Sequence, residues 1–122
     1  MFMVDKKKLR LHSKACSLLG VDPHKVRIVG RSEFREAAGE GVGHNLGKAH
    51  TRLRIYWVNR NASYDTYVHE LLHFLFPHRP HRWIRLAAAR LADEAAATDG
   101  ESRYLLTIAR KAACRRALDV IT

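Results

Sequence analysis

Long apolar runs are missing from this chain, and so are the cysteines of a disulfide-stapled scaffold. None of its 122 residues falls in a stretch approaching the roughly 20 apolar residues that a membrane-crossing helix needs, so no membrane partner is expected. Its two cysteines, Cys16 and Cys114, stand near opposite ends, too few and too widely spaced for a disulfide framework. Buried thiols in a reducing compartment are the expectation. The opening MFMVDKKKLR turns charged by Asp5 and lacks the apolar segment and cleavage signal of a secretory leader. Both observations point to the cytoplasm.

Acidic residues are scarce as well. Against 22 Lys and Arg stand 12 Asp and Glu, a formal charge of +10. Such a surplus favours contact with nucleic acid, because Lys and Arg release condensed counterions from phosphate; it also serves solubility. With 47% hydrophobic and 28% charged residues the chain is not of the disordered class. Its length suits one domain, 1–122, with a single core.

The pattern along the chain predicts an α+β domain. Residues 5–19 read as a helix capped by Asp5, with Leu11, Ala15, Leu18 and Leu19 at helical spacing and Gly20 at its end. VRIV, 26–29, reads as a short strand, and 32–37 as a helical turn. Four glycines between Gly39 and Gly47 mark a loop. RLRIYWV, 52–58, alternates Leu53, Ile55 and Trp57 with Arg52, Arg54 and Tyr56, the period of a strand. Ser63 is placed to cap a helix over 64–76 that Pro77 stops. Pro80 opens another running to about Ala97, and a last helix covers roughly 101–119 with an unclean apolar stripe.

The chemistry concentrates in TYVHELLHFLFPHRPHRW, residues 66–83. His69-Glu70-Leu71-Leu72-His73 is an HExxH motif. Residues four apart on a helix stand on one face, so two imidazoles can bind one zinc ion while Glu70 projects about 100° round toward its water. Zinc lowers the pKa of that water, and the carboxylate takes the proton as the water attacks a carbonyl. Chance supplies the pattern about 0.025 times in a chain of this composition. The helix around it is apolar almost all round, through Val68, Leu71, Leu72, Leu75 and Phe76, so the motif lies in a buried helix. The competing arrangement is two core histidines bonded to backbone carbonyls, with Glu70 bridged to an arginine.

A third protein ligand is required. His81 heads the apolar stripe Ile84, Ala88, Leu91, Ala95 of the next helix, so the packing that folds the domain delivers its ring to the metal. His78, in the loop between Pro77 and Pro80, and Glu94, on the flank of the stripe, are the alternatives.

VHELLHFLFPHRPHRW, preceded by RLRIYWV, resembles the active-site region of small zincin-fold metallopeptidases, SprT-like and related minimal zincins. The resemblance covers about residues 26–95. It implies a zinc metallopeptidase in which an edge strand, here 52–58, lies above the cleft and pairs with a protein or peptide substrate. His69 and His73 become zinc ligands and Glu70 the general base. The chain departs from the common patterns at Arg79, where a third histidine often stands, and at Phe76, where a metzincin has glycine. Its only methionines are Met1 and Met3, so no methionine turn follows.

Other residues carry weaker signals. His44, Asn45 and His50 flank the glycine-rich loop and are candidates for the cleft lining, and Tyr56 and Tyr64 for a transition-state hydroxyl. Arg110, Lys111, Arg115 and Arg116 form a late basic patch suited to non-specific DNA contact or to solvation. His12 and His24 carry no signal. The alternative function is a basic nucleic-acid-binding module in which the HExxH zinc site is structural or incidental.

Overall fold

The computed structural model describes residues 4–39, 45–93 and 95–115, and the chain is α+β. Helix α1 (Lys6–Leu19) begins where its sequence says it should. Asp5 caps it, the carboxylate accepting the Lys7 N–H at 2.7 Å, and Gly20 ends it at φ 76°. That left-handed conformation suits glycine, which has no Cβ to clash. Strand β1 (Arg27–Ile28) leads into α2 (Arg31–Ala38). This helix exceeds a single turn because fully buried Phe34 anchors it to the sheet.

Strands β2 (Gly47–His50) and β3 (Ile55–Val58) form an antiparallel hairpin, and β1 pairs with β3 in parallel, giving the order β1-β3-β2. The strand expected over 52–58 is corrected twice. Residues 51–54 are the hairpin turn, where Arg54 takes φ 56° and its N–H donates to His50 O at 3.0 Å. The remainder is the central strand and not an edge. All four residues of β3 are buried. Ile55 and Trp57 meet Val29 and Phe34 in a small core beneath α2, while Tyr56 and Val58 join the main core. A strand covered on both faces reads as a continuous apolar run, which is what IYWV is. The apparent alternation came from Arg52 and Arg54, which belong to the turn and not to the strand. The edge is β2, whose GKAH contains no β-branched or aromatic residue and takes strand form through pairing with β3.

Helices α3 (Tyr64–Leu75), α4 (His81–Ala92) and α5 (Gly100–Arg115) complete the fold. The main core gathers α1, α3, α4 and α5 on the sheet face opposite α2; Leu19, Leu71, Leu72, Ile84 and Leu91 are among its buried residues. Each such side chain contributes about 1.5–3 kcal/mol by leaving water. Helix α4 stops short of the expected Ala97, and Ala95–Thr98 forms a separate 3-10 turn. Asp99 then accepts the Glu101 N–H at 2.8 Å, starting α5, and Arg90 reaches back to Asp99 and Glu101 at 3.4 and 3.3 Å. The uneven stripe of α5 has a simple cause: its buried face is made of small residues, Ser102, Ala109, Ala112 and Ala113. The expected end near 119 lies outside the described residues. Among those described, no helix is long and apolar enough to cross a membrane.

Both cysteines are unpaired. Burial pushes the Cys16 thiol up to about 12, so it packs as an inert side chain, whereas Cys114 is exposed.

Candidate metal centre

Helix α3 is buried on most of its circumference, through Tyr67, Val68, Leu71, Leu72, Phe74 and Leu75. The remaining face carries His69 and His73, both half-buried, with their Nε2 atoms 3.0 Å apart. Ser63 precedes the helix in extended conformation, but its hydroxyl donates to Asp65 and accepts no backbone N–H of the first turn. Phe76 leaves the helix, and Phe76 and Trp83 pack edge to face at 5.2 Å across the turn. The Arg79 guanidinium lies 4.6 Å over the Trp83 ring. These contacts fix where α4 begins.

They place His81 over the HExxH pair. Ring centroids are 4.8 Å apart for His69 and His73, 4.7 Å for His69 and His81, and 5.5 Å for His73 and His81. One ligand atom from each of the three lies within 4.8 Å of the others. Three imidazoles on one tetrahedral ion, at metal–nitrogen bonds of about 2.0–2.1 Å, put nitrogens roughly 3.3 Å and centroids roughly 5 Å apart. The cluster is close to that shape and can hold a metal ion. Of the other third-ligand candidates, His78 is exposed and outside the cluster, and Glu94 lies outside the described residues.

Burial, then the charges of His73 and His81, hold the His69 pKa down to about 4. Burial and His81 lower that of His73 as well. Both rings are therefore neutral near pH 7, the form that coordinates metal. Asp65, one turn before His69, opposes the shift, while Arg85 of α4 adds to it.

Glu70 is only 5% exposed, and burial alone pushes its pKa up to about 8. Among the described residues its carboxyl has no hydrogen-bond or ion-pair partner, and neither HExxH histidine bonds a backbone carbonyl. The purely structural arrangement of the motif is thus absent in both its parts. A buried carboxyl left this way carries a desolvation penalty that a neighbouring cation would relieve. Gly47 makes room for it. A Cβ at that position would stand 2.8 Å from Glu70 Oε2, and 3.1 Å from both Thr66 Cγ2 and the Trp57 carbonyl oxygen.

The cluster opens into a cleft of about 660 Å³, within the usual range of roughly 300–1,000 Å³ for ligand sites. Leu46–Ala49 form one wall, His69, Glu70 and His73 the floor, and His81, Arg85 and Ala88 the other wall. An edge strand does border the cleft, but it is β2. Asn45 lies at its margin; His50 instead accepts the Leu53 N–H at 3.3 Å in the hairpin turn, and His44 lies outside the described residues. Neither tyrosine considered for catalysis lines the cleft. Lys14 sits over the Tyr64 ring at 4.8 Å, and the Tyr56 hydroxyl is 2.6 Å from His12 Nδ1 in the core. Because His12 Nε2 lies 3.0 Å from the Pro23 carbonyl, which only accepts, that nitrogen carries the proton. The Tyr56 O–H therefore donates to Nδ1.

Sequence reading missed Asp65 and Arg85, although helical spacing marks both: Asp65 is four residues before His69, and Arg85 four after His81. Nothing local marks Gly47, whose role depends on a strand pairing. Comparison with known proteins yields no match, whether to a protein-family model, a curated protein or a solved structure.

Proposed function

We propose that this protein is a zinc-dependent hydrolase, a peptidase of the minimal zincin kind, with zinc on His69, His73 and His81 and Glu70 as general base. The observation carrying this reading is the meeting, in one cleft, of three imidazoles and a buried carboxyl with no partner among the described residues. A set of three nitrogen donors with an open fourth position suits catalytic zinc. Zinc held there supplies a water of lowered pKa and polarises a carbonyl. Glu70 holds and returns the proton. Its pKa near 8 is lowered toward neutrality by a nearby cation, and a base poised near the working pH both accepts and donates efficiently. The outer edge of β2 supports binding of an extended peptide as an added strand, with weak sequence selectivity. A cytoplasmic setting belongs to the same proposal.

The test is Glu70→Gln, which keeps the side chain's size and removes its basicity. Zinc content should stay near one per chain while cleavage of an unstructured protein falls by about 10²–10⁴-fold. A zinc-loaded wild type that cleaves nothing, with or without DNA present, refutes the peptidase reading.

A second reading rests on α1. Lys6, Lys7, Arg10 and Lys14 are all exposed, the helix contains no acidic residue, and at 3.6 residues per turn the four fall within an arc of about 100°. Exposed Arg110, Lys111 and Arg115 on α5 add to the surplus. This face fits a nucleic-acid backbone. Binding of this type weakens steeply with salt, shows little sequence preference, and is unchanged in Glu70→Gln.

A further inference from the structure

Arg85 lies one helical turn beyond His81, on the wall of the same cleft. Its side chain is exposed, and among the described residues no carboxylate or carbonyl holds it. Some arginines pair within the chain, Arg27 with Glu33 at 3.3 Å and Arg90 with Asp99 and Glu101; what sets Arg85 apart is its place, for among the described residues no other arginine lines the cleft. Asp65, in the first turn of α3, also lines the cleft, yet it engages the Ser63 hydroxyl and forms no ion pair with Arg85. The guanidinium therefore faces the cleft with no counter-ion among the described residues. A divalent cation on three neutral imidazoles adds positive charge one turn away, more than Asp65 and an ionised Glu70 balance together with Arg85. Like charges so close favour an anion between them.

Resting on the metal-hydrolase reading above, we propose that Arg85 is a specificity residue binding a substrate carboxylate beside the metal position, within one residue of the bond that is cut. Reach supports this. Residues four apart on a helix are separated by about 6 Å along its axis, and one residue of extended peptide spans about 3.3–3.6 Å. A carbonyl at the cluster thus leaves the next residue's carboxylate within range of a guanidinium rooted one turn along α4. The planar fork of arginine matches a carboxylate with two parallel hydrogen bonds, which an amide cannot reproduce. The carboxylate is either the C-terminus of a peptide or an aspartate or glutamate side chain.

The experiment uses cobalt-substituted full-length protein, whose visible spectrum reports ligands at the metal. Three succinate-derived hydroxamates are titrated, differing only at the far end: a free α-carboxylate, its carboxamide, and a carboxamide bearing an aspartyl side chain. Wild type should bind at least one carboxylate probe about tenfold or more tightly than the plain carboxamide, the scale of a charge-assisted hydrogen bond. Which probe gains identifies the source of the carboxylate. Arg85→Gln should abolish the preference and Arg85→Lys keep part of it. Equal binding of all three probes by wild type, or a preference that survives Arg85→Gln, overturns the subsite and leaves the metal reading standing. A wild type that takes up no cobalt overturns both. Lys48 also lines the cleft, so should Arg85→Gln fail to fold, Arg85→Lys decides: a preference left undiminished there overturns the role of Arg85.

Discussion

Gly47→Ala separates the position of Glu70 from the stability of the fold. The added Cβ would meet Glu70 Oε2 at 2.8 Å, against about 3.3 Å for an ordinary carbon–oxygen contact. The carboxylate must retreat by roughly half an ångström. It is the far end of a flexible side chain, and the Trp57 carbonyl oxygen at 3.1 Å need give only a few tenths of an ångström. The overpacking cost therefore belongs at the low end of the usual range, about 1 kcal/mol. Replacing glycine reduces the unfolded chain's freedom and returns about 0.4–1 kcal/mol. The two nearly cancel, and net stability should stay within about 1 kcal/mol of wild type. Catalysis has no such offset. A 1 Å misplacement costs up to about 10²-fold, so half of that should lower turnover about tenfold. The assay is cleavage of an unstructured protein, with zinc content and urea denaturation measured on the same samples. Full turnover at unchanged stability would show that β2 does not set the position of the base. Destabilisation beyond about 3 kcal/mol would show that backbone, and not the carboxylate, gives way.

His81→Ala should weaken zinc affinity far more than His78→Ala, read by competition with a chromophoric chelator; comparable losses would put the third ligand elsewhere. In metal-free protein, Glu70→Gln should be more stable than wild type by a margin that grows from pH 4.5 to about 8. The sign follows from linkage: folded wild type keeps a proton there that the unfolded chain has released, so its stability falls as pH rises through that window, and glutamine never titrates. Melting temperatures at pH 5, 6.5 and 8 check this, and a constant difference would mean that Glu70 titrates normally. Tyr56→Phe should cost about 1–3 kcal/mol in urea denaturation, because it leaves buried His12 Nδ1 with only the weakly donating Cys16 thiol, 3.7 Å away; a neutral substitution would contradict the assigned tautomer.

Much of the site was legible because it is written in helical spacing. His69, His73 and His81 depend on two helices and a short turn, each marked by prolines, a cap and an apolar stripe. The same holds for α1, where Asp5 and Gly20 mark both ends. What stayed hidden depends on contacts distant in sequence. GKAH becomes the edge strand only because β3 offers it a partner, and IYWV is buried on both faces only because Phe34 of α2 covers the second one. His12 looked featureless because Tyr56, its partner, is 44 residues away. Arg54 misled in a different way: a left-handed turn residue at φ 56° completed an alternation that the backbone does not follow.

The three imidazoles all lie between residues 69 and 81, on one helical hairpin. An ion there is a clip across about a dozen residues of chain, and closing so short a loop costs little entropy. The clip therefore depends only on local chain, whereas β1 reaches β3 across some 28 residues. During synthesis the full ligand set exists once residue 81 has emerged, while α5 is still being made. Metal captured there would brace the α3–α4 hairpin, against which β2, carrying Gly47, packs beside Glu70.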